Sequence, residues 1–137
     1  MRVLIFSLFI SALIMNCKSN PYKPDLDMKE KIYFGSEGGV AGSRNEFILV
    51  KTGQIYKKVD TTYKKVASLK ENTALQLFEL AQNSNVFTQG YNEPGNMSQF
   101  MEFKTLKNTD RLVWSQNDAS LPKNIKTFYG ILSKAIK

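Results

Sequence analysis

Glu46-Phe47-Ile48-Leu49-Val50-Lys51-Thr52-Gly53-Gln54-Ile55-Tyr56-Lys57-Lys58-Val59 decides the fold class of this 137-residue chain. Five residues rich in β-branched and aromatic side chains run up to Lys51-Thr52-Gly53-Gln54, where Gly53 can take a positive φ. A second run of the same kind then returns. This is the pattern of a β-hairpin. Upstream, Lys31-Ile32-Tyr33-Phe34 alternates as a strand, and the glycine-rich stretch from Gly35 to Asn45 is predicted to be a loop between the two. Downstream, Asp60-Thr61-Thr62 turns the chain again, and Tyr63 to Ala67 forms a candidate further strand.

Two amphipathic helices follow the strands. Ser68-Leu69-Lys70-Glu71 matches a capping box, and Ala74, Leu77, Phe78 and Ala81 recur at helical spacing until Asn83-Ser84-Asn85 closes the segment. Thr88 to Asn96 is predicted to be a loop with a turn at Pro94-Gly95. Two more strands are expected near Met97 to Thr105 and Arg111 to Ser115. Asp118 or Ser120 is the expected cap of the last helix, with Pro122 in its first turn. Along that helix Ile125, Phe128, Tyr129, Leu132 and Ile136 share one stripe, and Lys123, Lys126, Lys134 and Lys137 lie opposite. The expected fold is α+β: a mostly antiparallel sheet of five or six strands with two helices packed on one face.

The amino-terminal residues read differently. Arg2 is followed by Val3 to Met15, an apolar run interrupted only by Ser7 and Ser11. It is too short for a bilayer-spanning helix, which needs about 20 residues, and has the form of a secretory signal. The organisation expected is a signal peptide over residues 1–16, a polar, proline-punctuated tether over 17–28 and a single α+β domain over 29–137.

Ile14-Met15-Asn16-Cys17 resembles the lipobox of bacterial lipoproteins, with Asn16 where Gly, Ala or Ser is usual. The resemblance implies lipidation of Cys17, the sole cysteine, and attachment to the inner or outer membrane of the cell envelope, facing the periplasm or the cell surface. The alternative is an incidental thiol after an ordinary signal or a short uncleaved anchor.

Composition excludes several chemistries. The chain has no histidine and one cysteine, so it cannot build a Ser-His-Asp triad, a Cys-His dyad, a His-ligated zinc site or an intrachain disulfide. The carboxylates Glu37, Glu46, Glu71, Glu79, Glu93, Glu102, Asp110 and Asp118 fall on separate elements, with no pair at a spacing that suggests acid–base catalysis. No catalytic residue, metal or cofactor is assigned. The formal charge is +7. In an envelope protein that charge points to a solvated face or to anionic lipid head groups rather than to nucleic acid.

Gly35-Ser36-Glu37-Gly38-Gly39-Val40-Ala41-Gly42 lacks the Gly-Lys-Ser/Thr of a phosphate-binding loop and opens a strand rather than a helix. It is either a plain connector or a segment that offers its backbone to a partner. Tyr33, Tyr56, Tyr63, Phe100 and Trp114 do not all fit on the helix side. They pack at edges or on a second covered face, or else form an exposed interface.

Gly38-Gly39-Val40-Ala41-Gly42 is similar to the Gly-Gly-Phe-Ala/Thr-Gly signature of emfourin-like proteins, with Val40 in place of the aromatic residue. The outline continues through Leu75 to Ala81, Val86-Phe87 and the Leu121-Pro122 helix start. Emfourin-type members inhibit thermolysin-like metallopeptidases. The resemblance implies the fold, and a protein partner from the envelope or the secreted pool. Together with the residue chemistry it favours a binding module over an envelope enzyme or a purely structural lipoprotein. The candidate partner-binding residues are Glu37, Gly38, Gly39, Val40, Ala41, Gly42 and Arg44.

Overall fold

A computed structural model describes residues 30–137. Cys17 and the expected signal segment and tether lie outside the described residues. The elements in chain order are β1 (Lys31–Gly38), β2 (Ser43–Leu49), β3 (Gln54–Val59), β4 (Thr62–Ser68), α1 (Glu71–Asn83), α2 (Asn85–Thr88), β5 (Asn92–Glu93), β6 (Met97–Lys104), β7 (Thr109–Ser115) and α3 (Lys123–Ala135). The chain is α+β. Its sheet has seven strands in the order β4-β3-β2-β1-β6-β7-β5, antiparallel throughout except where β5 runs parallel to β7.

The strand count exceeds the five or six expected because two residues of the predicted 88–96 loop, Asn92 and Glu93, align beside Val113 and Trp114. A third helix also appears where the sequence suggested only a helix end. Ser84 ends α1 by bonding the Leu80 carbonyl from its backbone and its hydroxyl, and the same hydroxyl accepts from the Val86 N–H to start α2. One serine therefore serves both helices, and this turns the chain so that Val86 and Phe87 enter the core.

The predicted loop from Gly35 to Asn45 is mostly strand. β1 continues to Gly38, β2 begins at Ser43, and only residues 39–42 turn. The reason is long-range pairing. Gly35 lies between Glu46 on β2 and Phe100 on β6, so it is held by ladders on both sides. It packs so closely that a Cβ there would sit 1.8 Å from the Asn45 carbonyl oxygen. At this position glycine permits strand approach rather than flexibility.

Both predicted helix caps fail for similar reasons. Ser68 pairs with Gln54 at the end of β4, so α1 starts at Glu71 behind Lys70 with no side-chain cap. Asp118 and Ser120 bond each other and Tyr91, so α3 starts behind Pro122, which occupies the capping position rather than the first turn.

Strand alternation divides the buried side chains into two clusters. The larger joins Ile32, Phe34, Leu49, Ile55, Met101, Phe103, Leu112 and Trp114 to residues of all three helices, among them Phe78, Phe87, Ile125, Phe128 and Leu132. Phe87 stands edge-on to Phe128 at 5.6 Å, and Trp114 edge-on to Tyr129 at 5.1 Å. The smaller cluster comprises Tyr33, Ile48, Tyr56, Tyr63, Phe100 and Val113. Four of the five aromatics left unplaced by the sequence thus lie in this second cluster, and Trp114 belongs to the first.

Candidate functional site

The second cluster is roofed by charge. Along β1, β2, β6 and β7, register brings Glu37 opposite Arg44 and Glu102 opposite Arg111, while Phe100 sits opposite Gly35 and Val113. Arg44 donates from Nη1 to Glu37 at 3.0 Å, and from Nε and Nη2 to one oxygen of Glu46 at 2.9 and 2.7 Å. Arg111 donates to the other oxygen of Glu37 at 2.6 Å and to Glu102 at 3.2 Å. Lys58 approaches the far side of Glu46 at 3.9 Å.

The result is one alternating chain, Lys58–Glu46–Arg44–Glu37–Arg111–Glu102, drawn from five strands. Its charges cancel. Glu37 is the central link because it alone joins the two arginines.

The arginines also act as a lid. The guanidinium carbons of Arg44 and Arg111 lie 4.4 and 4.8 Å from the Phe100 ring centroid, and Phe100 has no exposed surface. Planar, weakly hydrated guanidinium groups suit this stacking better than ammonium groups would. Burial alone would lower the Arg111 pKa, but hydrogen bonds and charge from Glu37 and Glu102 outweigh it, and the net direction is up. Arg111 therefore stays charged throughout the neutral and moderately alkaline range.

The charged chain braces a turn. Directly beyond Glu37 and Arg44, residues 39–42 close with Gly42 N–H donating to the Gly39 carbonyl at 3.0 Å. Gly39 N–H donates sideways to Asn96 at 2.7 Å, which ties the hairpin to the turn before β6. Gly39 has φ of +79°, a conformation that side chains resist, and a Cβ there would meet the Met97 sulfur at 3.0 Å. Val40 at the apex is fully exposed and Met97 is 37% exposed. All seven candidate residues, Glu37, Gly38, Gly39, Val40, Ala41, Gly42 and Arg44, thus lie on one hairpin, and the structure brings them together.

Beside this tip is a polar depression of about 430 Å³ bordered by Tyr91, Glu93, Asp118 and Ser120. Tyr91 donates its hydroxyl proton to Asp118 at 2.6 Å, and Ser120 bonds the same carboxylate from its N–H and its hydroxyl at 2.8 and 2.7 Å. These donors, the Tyr91 hydroxyl first, hold Asp118 below the usual carboxylate range. The bond to Asp118 raises Tyr91 in turn.

Sequence reading missed Glu46, Glu102, Arg111 and Met97 as parts of this surface, whereas Phe100, open there to an edge, a covered face or an exposed interface, is buried beneath the two arginines. One local signal was present. Arg44 and Glu46 are two apart on a strand and must share a face. Arg111 could not be found that way, since it reaches Glu37 across 74 residues of sequence. Among the described residues no group of three or more acidic, histidine or cysteine side chains could hold a metal ion. Compared with known proteins, the chain matches no family model and no curated protein.

Proposed function

We propose that this protein is a lipid-anchored protein-binding module of the cell envelope that presents the 39–42 hairpin tip to its partner. The observation that carries the reading is the apex itself: a fully exposed valine on a turn whose base is clamped by the Arg44–Glu37–Arg111 bridge. An apolar side chain held forward on a rigid support loses little freedom on binding, which is the condition for an efficient anchor. Met97 adds apolar area at its side. Lipidation of Cys17 would hold the domain at an inner or outer membrane, facing the periplasm or the cell surface.

The similarity of Gly38 to Gly42 to the emfourin-like signature makes a secreted thermolysin-like metallopeptidase the first partner to test. Glu37, Glu46 and Glu102 are brought near one another, yet each is engaged by an arginine, which favours bracing over acid–base work.

The test uses the full chain and a thermolysin-like peptidase. Peptidase activity should fall on mixing, and Val40→Asp should weaken that effect at least about tenfold, the equivalent of losing one buried anchor. Val40 is the clean probe because it touches nothing, whereas a β-branched residue at Gly39 would strain the turn itself. Undiminished peptidase activity at saturating protein would sink the inhibitor reading. Inhibition by wild type and Val40→Asp alike would leave inhibition standing but remove the tip as its site.

A further inference from the structure

The antiparallel register gives the sheet two ends of opposite character. The tip end gathers the turns at 39–42, 60–61, 94–96 and 116–118. These turns contain Asp60 and Asp118, Glu93 stands beside them at the end of β5, and the turns hold no lysine or arginine. The opposite end gathers the chain entry at Glu30, the β2–β3 turn with Lys51, and the β6–β7 turn with Lys104 and Lys107 beside it. Of the acids there, Glu30 is held by Lys51 at 2.6 Å and by Gln82 at 2.5 Å, Asp110 stands at the start of β7, and Glu71 begins α1 beside Gly53 of the β2–β3 turn, next to Lys70. Lys104 and Lys107 are exposed and form no ion pair among the described residues.

Between those two lysines Leu106 is 71% exposed. Thr105 fixes it there. The Thr105 hydroxyl accepts from the N–H groups of Lys107 and Asn108, and the Thr105 N–H donates to the Asn108 carbonyl, closing the turn with Leu106 outward. Turns of this kind ordinarily carry polar residues. A leucine flanked by lysines instead has the chemistry of a membrane interface, with an apolar group for the acyl boundary and cations for anionic head groups.

We infer that the Lys104-Thr105-Leu106-Lys107 turn seats the domain on anionic lipid, so that the 39–42 tip faces away from the membrane. The inference rests on the reading of Cys17 as a lipid anchor. Chain geometry agrees with it. Glu30 enters at the lysine end, pinned to Lys51 and Gln82, and the residues between Cys17 and Glu30 span at most roughly 45 Å even when fully extended. A membrane bearing negative charge attracts Lys104 and Lys107, which no acid of the described residues pairs, and repels the end with Asp60, Glu93 and Asp118. The effect is confined to about 10 Å from the surface at ordinary salt.

The experiment places a tryptophan at either end of the full chain, Leu106→Trp or Val40→Trp. Each variant is reconstituted into vesicles of phosphatidylcholine with brominated acyl chains, containing unbrominated phosphatidylglycerol. Trp114, 1% exposed, supplies the same background in both variants and reports that the fold is kept. Leu106→Trp should lose most of its added emission to the bromines, and Val40→Trp should not. Adding Lys104→Glu and Lys107→Glu, or omitting phosphatidylglycerol, should remove the quenching. Equal quenching of the two tryptophans, or quenching that ignores the lysines and the lipid charge, would overturn the inference while leaving the anchor intact. A chain that fails to sediment with vesicles would overturn the anchor and the seating together.

Discussion

The two faces of the sheet bury aromatic rings by different means. On one face Phe87, Phe103, Phe128 and Trp114 share a cluster with helical residues, and the cover is apolar. On the other, Phe100, clustered with Tyr33, Tyr56 and Tyr63, lies under the guanidinium groups of Arg44 and Arg111, whose outer edges meet water. Long charged residues can exclude solvent from a ring while keeping their own charge hydrated. The difference teaches that zero exposure does not require a second layer of secondary structure. It also predicts that the two cores respond differently to charge.

The largest effects should come from cutting each core at its centre. Phe128→Ala and Phe100→Ala should each cost about 3–5 kcal/mol, measured as urea denaturation midpoints at unchanged slope. A cost below about 1 kcal/mol for Phe100→Ala would mean that its charged lid collapses into the gap, and that the second face is no true core.

Arg111→Ala separates the faces next. It removes one wall of the Phe100 site and leaves Glu37 and Glu102 without their shared partner. The expected loss is about 1–2 kcal/mol, discounted because the guanidinium is partly exposed and screened. That loss should shrink in high salt, whereas the Phe128→Ala loss should not. Equal salt responses would show that Arg111 acts only as an apolar wall.

A smaller effect belongs to the face that carries the larger cluster and to alkaline pH. Tyr129 donates its hydroxyl proton to the Gly35 carbonyl at 3.1 Å, and burial pushes its pKa to about 12. The unfolded chain would ionise this tyrosine near pH 10. Its neutral form therefore contributes stability fully below pH 10, and that contribution is lost as pH rises from 10 toward 12. Tyr129→Phe should lower stability at neutral pH by about 1 kcal/mol. It should also flatten the decline between pH 10 and 12, which denaturation curves across that range would reveal. An unchanged alkaline slope would place the responsible group elsewhere.

The smallest effect should be Lys126→Ala. This residue is exposed on α3, away from the buried stripe of Ile125, Phe128 and Leu132. The change should stay within about 0.5 kcal/mol. A large loss would show that α3 also relies on its lysine side.

Much of this was legible along the chain. The stripe Ile125, Phe128 and Leu132, the turn at Gly53 and the strand pair Glu46 to Val59 all follow from patterns repeated within a few residues. The glycine segment was legible as a special place but not as a shape. Nothing local distinguishes a loose glycine connector from Gly35 trapped between two ladders. The same blindness produced the two failed caps. Ser68 and Asp118 had suitable side chains for capping, and both were already engaged by partners distant in sequence.

By itself, the sequence determined the alternation of strands and helices, the absence of histidine chemistry and the presence of an unusual glycine segment between two strands. Those are properties of residue type and short spacing, on which backbone propensity and side-chain period act directly. Only the tertiary structure decided that β1 lies between β2 and β6, since that order depends on which apolar faces can be buried together. With β1 there, Glu37 falls between Arg44 and Arg111, Phe100 passes beneath both guanidinium groups, and the hairpin tip gains a braced base. The lysine end and the acidic end separate for the same reason. Antiparallel pairing gathers turns from remote parts of the chain into two groups, and no window of sequence contains either group whole.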